Sequence, residues 1–131
     1  MRYALKFMKE TGLQLETEGR VFYLGRLKAG GSGVDFEQKI ACIEGAVCAL
    51  HPGDCLNLAN CRMIYLGGAS ALLQMGRIKA ILTDAPQGET MRALEADFSV
   101  CQNRIFSADG EMRLELEKER AYSVYEIMEI L

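Results

Sequence analysis

Three of the five cysteines and the single histidine fall within AVCALHPGDCLNLANC, residues 46–61. Cys48, His51, Asp54 and Cys55 are residue types from which a metal centre or an activated thiol is built. Thiolates and imidazole bind zinc, and a nucleophilic cysteine needs a base beside it. The spacing argues against a ready-made centre. Cys42, Cys48, Cys55 and Cys61 are separated by five, six and five residues, no CxxC occurs, and no second histidine can join His51. Structural zinc sites draw on ligands two to four residues apart.

Strand geometry spreads the candidates further. If AVCAL and DCLNL paired directly across Pro52 and Gly53, opposed residues would share a face. Cys48 and Cys55 would then point to one side, and His51 and Asp54 to the other. Proline holds φ near −65°, which excludes it from the mirror-image turns of tight hairpins. HPGD therefore reads as a corner where the chain leaves one sheet for another, or as a longer loop. Free cysteine is among the most buried residue types, so buried, reduced, inert thiols are expected here. The phrase LHPGDCLNL is similar to the strand, Pro-Gly turn and strand of jelly-roll cupin proteins. That family's histidine-rich metal motif is missing, so the resemblance implies no catalytic residue.

A second candidate is RMIYLGGASALLQMGRIKAILTD. Parsed as strand, glycine turn, helix and strand, it would present the backbone N–H groups of Gly67, Gly68 and Ser70 to an anionic small molecule. The segment from Ser70 to Gly76 is too short for a crossover helix, which favours a plain turn between antiparallel strands. KAGGSGVD reads as a solvated hairpin loop. Asp35 with Glu37, and Glu16 with Glu18, sit at the spacing of charges on an exposed strand face and receive no catalytic role.

The elements that position these residues follow a period of two. LQLETE sets Leu13, Leu15 and Thr17 on one face, and RIKAILTD and EMRLELE alternate likewise, as half-buried strands do. Glycine-rich turns punctuate the chain, and Asp109–Gly110 in RIFSADGEMRLEL marks a hairpin. GETMRALEADF predicts a helix capped by Thr90, while the N-terminal and C-terminal segments fit helix or strand. The expectation is one mainly β domain spanning residues 1–131. It is an antiparallel sandwich or barrel, jelly-roll-like among the variants, with one or two short helices; α+β is the alternative. No internal repeat is visible.

Composition bounds the function. Fifteen basic against eighteen acidic residues give a net charge of −3, and no three basic residues are adjacent, which disfavours nucleic-acid binding. Charges at Arg2, Lys6 and Lys9 interrupt any leader-like core, and no apolar run approaches a membrane span. An odd number of cysteines fits a reducing, cytoplasmic setting. The first expectation is a non-enzymatic binding or assembly module, because strand edges must be closed or paired. It would engage a protein partner or form a dimer, with no cofactor implied. The alternatives are a metal- or thiol-dependent enzyme or sensor at Cys48, His51, Asp54 and Cys55, and the anion site at Gly67 to Ser70.

Overall fold

The computed structural model describes residues 2–131. In chain order the elements are β1 (Tyr3–Met8), β2 (Gly12–Thr17), β3 (Arg20–Gly25), β4 (Ser32–Asp35), β5 (Ile40–Ile43), β6 (Ala46–Ala49), β7 (Cys55–Leu58), β8 (Cys61–Gly67), β9 (Ser70–Met75) and β10 (Ile78–Leu82). There follow α1 (Gly88–Ala93), β11 (Phe98–Cys101), β12 (Arg104–Ser107), β13 (Met112–Glu115), β14 (Ala121–Ser123) and α2 (Val124–Ile130). They form two seven-stranded sheets, ordered β14-β1-β2-β3-β4-β5-β6 and β13-β12-β11-β10-β9-β8-β7. The architecture is the expected β-sandwich. Successive strands lie side by side as meanders, without the Greek keys of a jelly roll.

Alternation decides which faces meet. Leu13, Leu15 and Thr17 of β2 are buried, as are Ala71, Leu73 and Met75 of β9, and one continuous core joins the two sheets. A smaller apolar cluster lies on the outer face of the second sheet, where Leu72 and Ile81 pack against Met91 and Ala96. That cover is α1 and the residues after it. The helix starts at Gly88, with Gln87 at the cap and no side-chain cap bond, so Thr90 lies inside it and does not cap it. The C-terminal segment divides between both expected forms. Ala121–Ser123 is strand, then Ser123 Oγ accepts from the Tyr125 N–H at 3.2 Å and a helix follows. Its buried face is Val124 and Ile127, whereas Tyr125 stays exposed.

Contrary to the repeat-free reading of the sequence, the chain is built from two equivalent halves. Tyr3, Gly12 and Arg20 open β1, β2 and β3; Cys61, Ser70 and Ile78 open β8, β9 and β10, each 58 positions later. In both halves the third strand runs parallel to the fourth, β3 to β4 and β10 to β11. After that crossover the spacing becomes 66, from Ser32 to Phe98, Ala46 to Met112 and Cys55 to Ala121, except at the intervening pair, where Ile40 of β5 and Arg104 of β12 lie 64 apart. The correspondence extends to the loops. Gly53 N–H donates to Tyr65 O at 2.7 Å, as Glu119 N–H does to Phe7 O at 2.8 Å. Leu50 N–H donates to Lys39 O, as Leu116 N–H does to Asn103 O. The last strand of each half joins the other half's sheet, since β7 pairs with β8 and β14 with β1. The halves are therefore interlocked.

They differ at the parallel crossover. In the second half residues 83–97 carry α1 across, whereas residues 26–31 suffice in the first. A parallel pair ordinarily needs a connection of about a dozen residues or more. The short one works because only Phe22–Gly25 and Ser32–Asp35 run alongside. It also works because Gly31 and Gly33 leave room for the Tyr23 ring and backbone. KAGGSGVD is thus a crossover leading into β4, not the hairpin loop expected from its composition.

Candidate functional site

Pro52 and Gly53 form the corner between the sheets: β6 ends one edge of the first and β7 one edge of the second. The turn draws His51 and Asp54 together. Asp54 Oδ2 accepts from the His51 backbone N–H at 2.8 Å and lies 3.5 Å from His51 Nδ1, in an exposed setting. The cysteines do not join them as a centre. Cys48 stands on β6, and Cys55 on β7 accepts from the Arg62 guanidinium at 3.4 Å. Among the described residues no group of three or more His, Cys, Asp or Glu side chains is placed to hold a metal ion. Cys48 and Cys55 are exposed, correcting the expectation of buried thiols. Cys55 shares the outward face of β7 with Asn57, opposite the core-facing Leu56 and Leu58, and Cys48 lies on β6, an edge strand exposed at every residue.

The buried thiol is Cys61, on β8 beside Tyr3, and burial pushes it up to about 12 from an ordinary 9.0. The folded chain keeps this proton where the unfolded chain releases it. The resulting stability is intact below about pH 9 and is lost as the pH rises toward 12. Tyr3 is pushed the same way, first by its own burial and then by Cys61. Urea midpoints are expected to fall across this alkaline window and to fall less steeply in Cys61→Ala, whatever that change costs at neutral pH. Equal slopes would contradict the assignment.

The glycine pair forms a turn between antiparallel strands, with Gly67 opposite Ser70. Ser70 begins β9, so the helix start supposed for an anion site is absent. Tyr65 donates its hydroxyl to Gly68 O at 2.7 Å, and Ser70 Oγ donates to Thr83 Oγ1 at 3.3 Å.

A cleft of about 590 Å³ opens where the two parallel pairs end. Leu24 and Asp35 of the first half contribute to it, as do their equivalents Leu82 and Cys101 of the second. Two of its ionisable groups are committed to structure. The Asp35 carboxylate accepts from the Leu27 and Gln38 backbone N–H groups at 3.2 and 2.9 Å, and Arg26 donates to Glu10 O at 3.1 Å. The Cys101 thiol is held above its ordinary value, first by burial and then by Asp84, which opposes the thiolate a nucleophile needs. Among the described residues, no nucleophile in the cleft's lining is hydrogen-bonded to a base. The cleft depends on the correspondence of the halves, which no local motif signals.

The sheet edges differ in their protection. β13 carries Arg113 and Glu115 beside a register shift in its neighbour β12, and β7 carries Asn57 with Leu58 buried. β14 is three residues long and runs into α2. On β6, Ala46, Val47, Cys48 and Ala49 are all exposed and none is charged. Val47 is 65% exposed, the highest value among the exposed large hydrophobic residues. The backbone has a definite polarity there. Leu50 N–H donates inward to Lys39 O, and antiparallel bonding alternates, so Cys48 faces β5 while Val47 and Ala49 turn their N–H and C=O groups outward. Period-two reading locates this strand, but the chain's sequence does not say that it ends a sheet. Comparison with protein-family models, with curated proteins and with solved structures returns no match.

Proposed function

We propose that this protein is a non-enzymatic assembly module that pairs with a second copy of itself through β6. One observation carries the reading: an edge strand exposed on every residue and bare of charge. Such edges are templates for further strands, and proteins that stay monomeric blunt them with charge, proline, bulges or covers. Antiparallel pairing about a two-fold axis at Cys48 uses the free groups fully. Val47 of each copy exchanges both backbone bonds with Ala49 of the other, and Cys48 falls opposite itself at the closely spaced position. Glu44 then falls opposite Pro52, so no carboxylate meets a carboxylate across the pair. The small side chains leave the approach open.

The geometry supports this over metal or thiol chemistry at Cys48, His51, Asp54 and Cys55, of which only the His51–Asp54 pair converges. In sedimentation velocity over micromolar concentrations, the unmodified chain is expected to run as a dimer. Val47→Lys is expected to weaken association at least tenfold while leaving the unfolding free energy of the dissociated chain, measured at dilution, within about 0.5 kcal/mol, as for a surface change. A monomer at every concentration, or a dimer indifferent to Val47→Lys, would dispose of the proposal.

A further inference from the structure

The strongest unexplained polar atom lies elsewhere. Ser99, on β11, is fully buried, and its Oγ has no hydrogen-bond partner among the described residues. Leaving a buried hydroxyl unpaired costs about 1–3 kcal/mol, and such groups usually mark a bound water, ion or ligand. Ser99 lines a cavity of about 230 Å³ between the outer face of the second sheet and α1. This volume exceeds that of one water, about 30 Å³ in the liquid, and falls below the usual range of a drug-sized pocket.

The lining specifies the chemistry. Ile81 and Met91 supply apolar surface, and Ser70, Thr83, Thr90 and Ser99 supply hydroxyls. Thr83 Oγ1 accepts from Ser70 Oγ and from the Ala85 N–H at 3.1 Å, which leaves its own proton available to donate. Asp84 is the only charged residue in the lining and makes no hydrogen bond or ion pair among the described residues. Within the lining no cation offsets that carboxylate, so an anion is disfavoured there and a protonated amine is attracted. The equivalent place in the first half holds Gly33 and has no covering helix. The cavity is therefore a product of the longer second crossover.

From the orphaned hydroxyl, the apolar floor and the single carboxylate, we infer that this cavity binds a small hydroxylated amine of the amino-sugar class. The test is an NMR titration of the full chain at about pH 6 with glucosamine, glucose and glucuronate, a series of similar shape and descending charge. Saturable shifts on β11 and α1 are expected, strongest for glucosamine and weakest for glucuronate. Ser99→Ala and Thr90→Val should each weaken glucosamine binding about fivefold or more, by loss of a hydrogen bond. Asp84→Asn should remove the preference for glucosamine over glucose. No saturable shift with any sugar, glucuronate binding as well as glucosamine, or full affinity in both folded hydroxyl variants would overturn the inference. A cavity holding only water gives the first of these results.

Discussion

Gly33→Ala is expected to cost about 4 kcal/mol or more of folding stability, among the largest effects a single substitution produces. A Cβ at Gly33 would lie 2.1 Å from the Tyr23 carbonyl oxygen and 2.6 Å from the Tyr23 nitrogen, both backbone atoms of the parallel partner strand. Neither can swing aside as a side chain would. The φ of +144° adds strain that L-residues avoid. To admit the methyl group, β3 and β4 must separate along their shared register, which breaks the ladder that closes the short crossover. Gly12→Ala is the control. Its φ is +81° but no atom lies within 4 Å of the added Cβ, so strain without collision should cost about 1 kcal/mol. Urea midpoints of the two variants measure the difference. A Gly33→Ala protein within 1 kcal/mol of its parent would show that β3 and β4 do not approach so closely.

Cutting the chain between its halves should abolish folding in each piece and permit it in their mixture. A fragment of residues 1–59 holds six strands of one sheet and a β7 whose neighbour, β8, is missing. The remainder, residues 60–131, lacks β7 and carries β14 without β1. More costly still, the core side chains of each sheet, such as Leu15 and Leu73, would lose the facing sheet that buries them. Full exposure of one leucine costs roughly 1.5–3 kcal/mol, so a whole exposed face exceeds the net stability of an ordinary domain. Each fragment alone is expected to show no cooperative thermal transition. An equimolar mixture should regain one as a heterodimer. Cooperative unfolding in either fragment alone would show that the halves are separate domains.

Much of the sandwich is legible because burial repeats every second residue. Leu13, Leu15 and Thr17 alternate in the sequence and are buried as that alternation requires. The duplication is hidden because the halves share pattern rather than identity. Equivalent core positions hold Leu5 and Met63, or Phe22 and Ala80, and the longer α1 crossover shifts the spacing midway. Identity persists at a few buried pairs, including Leu15 with Leu73, Leu24 with Leu82, and Leu50 with Leu116. The cysteines of AVCALHPGDC mislead for a related reason. Burial propensity describes the average environment of a residue type, whereas Cys55 is exposed by facing outward on β7 and Cys48 by lying on the edge strand β6. That is a fact of topology. Ser99 is likewise unremarkable in FSVCQNRIF; its significance comes from α1, which closes over it from an insertion earlier in the chain.

Amide hydrogen exchange at β6, followed as a function of protein concentration, is the most direct test of self-pairing. The Cys48 N–H is bonded inward to β5 and serves as an internal reference for the folded edge. The outward Val47 and Ala49 N–H groups are expected to become strongly protected as concentration rises through the dimerisation range, and to lose that protection in Val47→Lys or on dilution. Rapid exchange of both amides at every concentration, beside a protected Cys48, would contradict it.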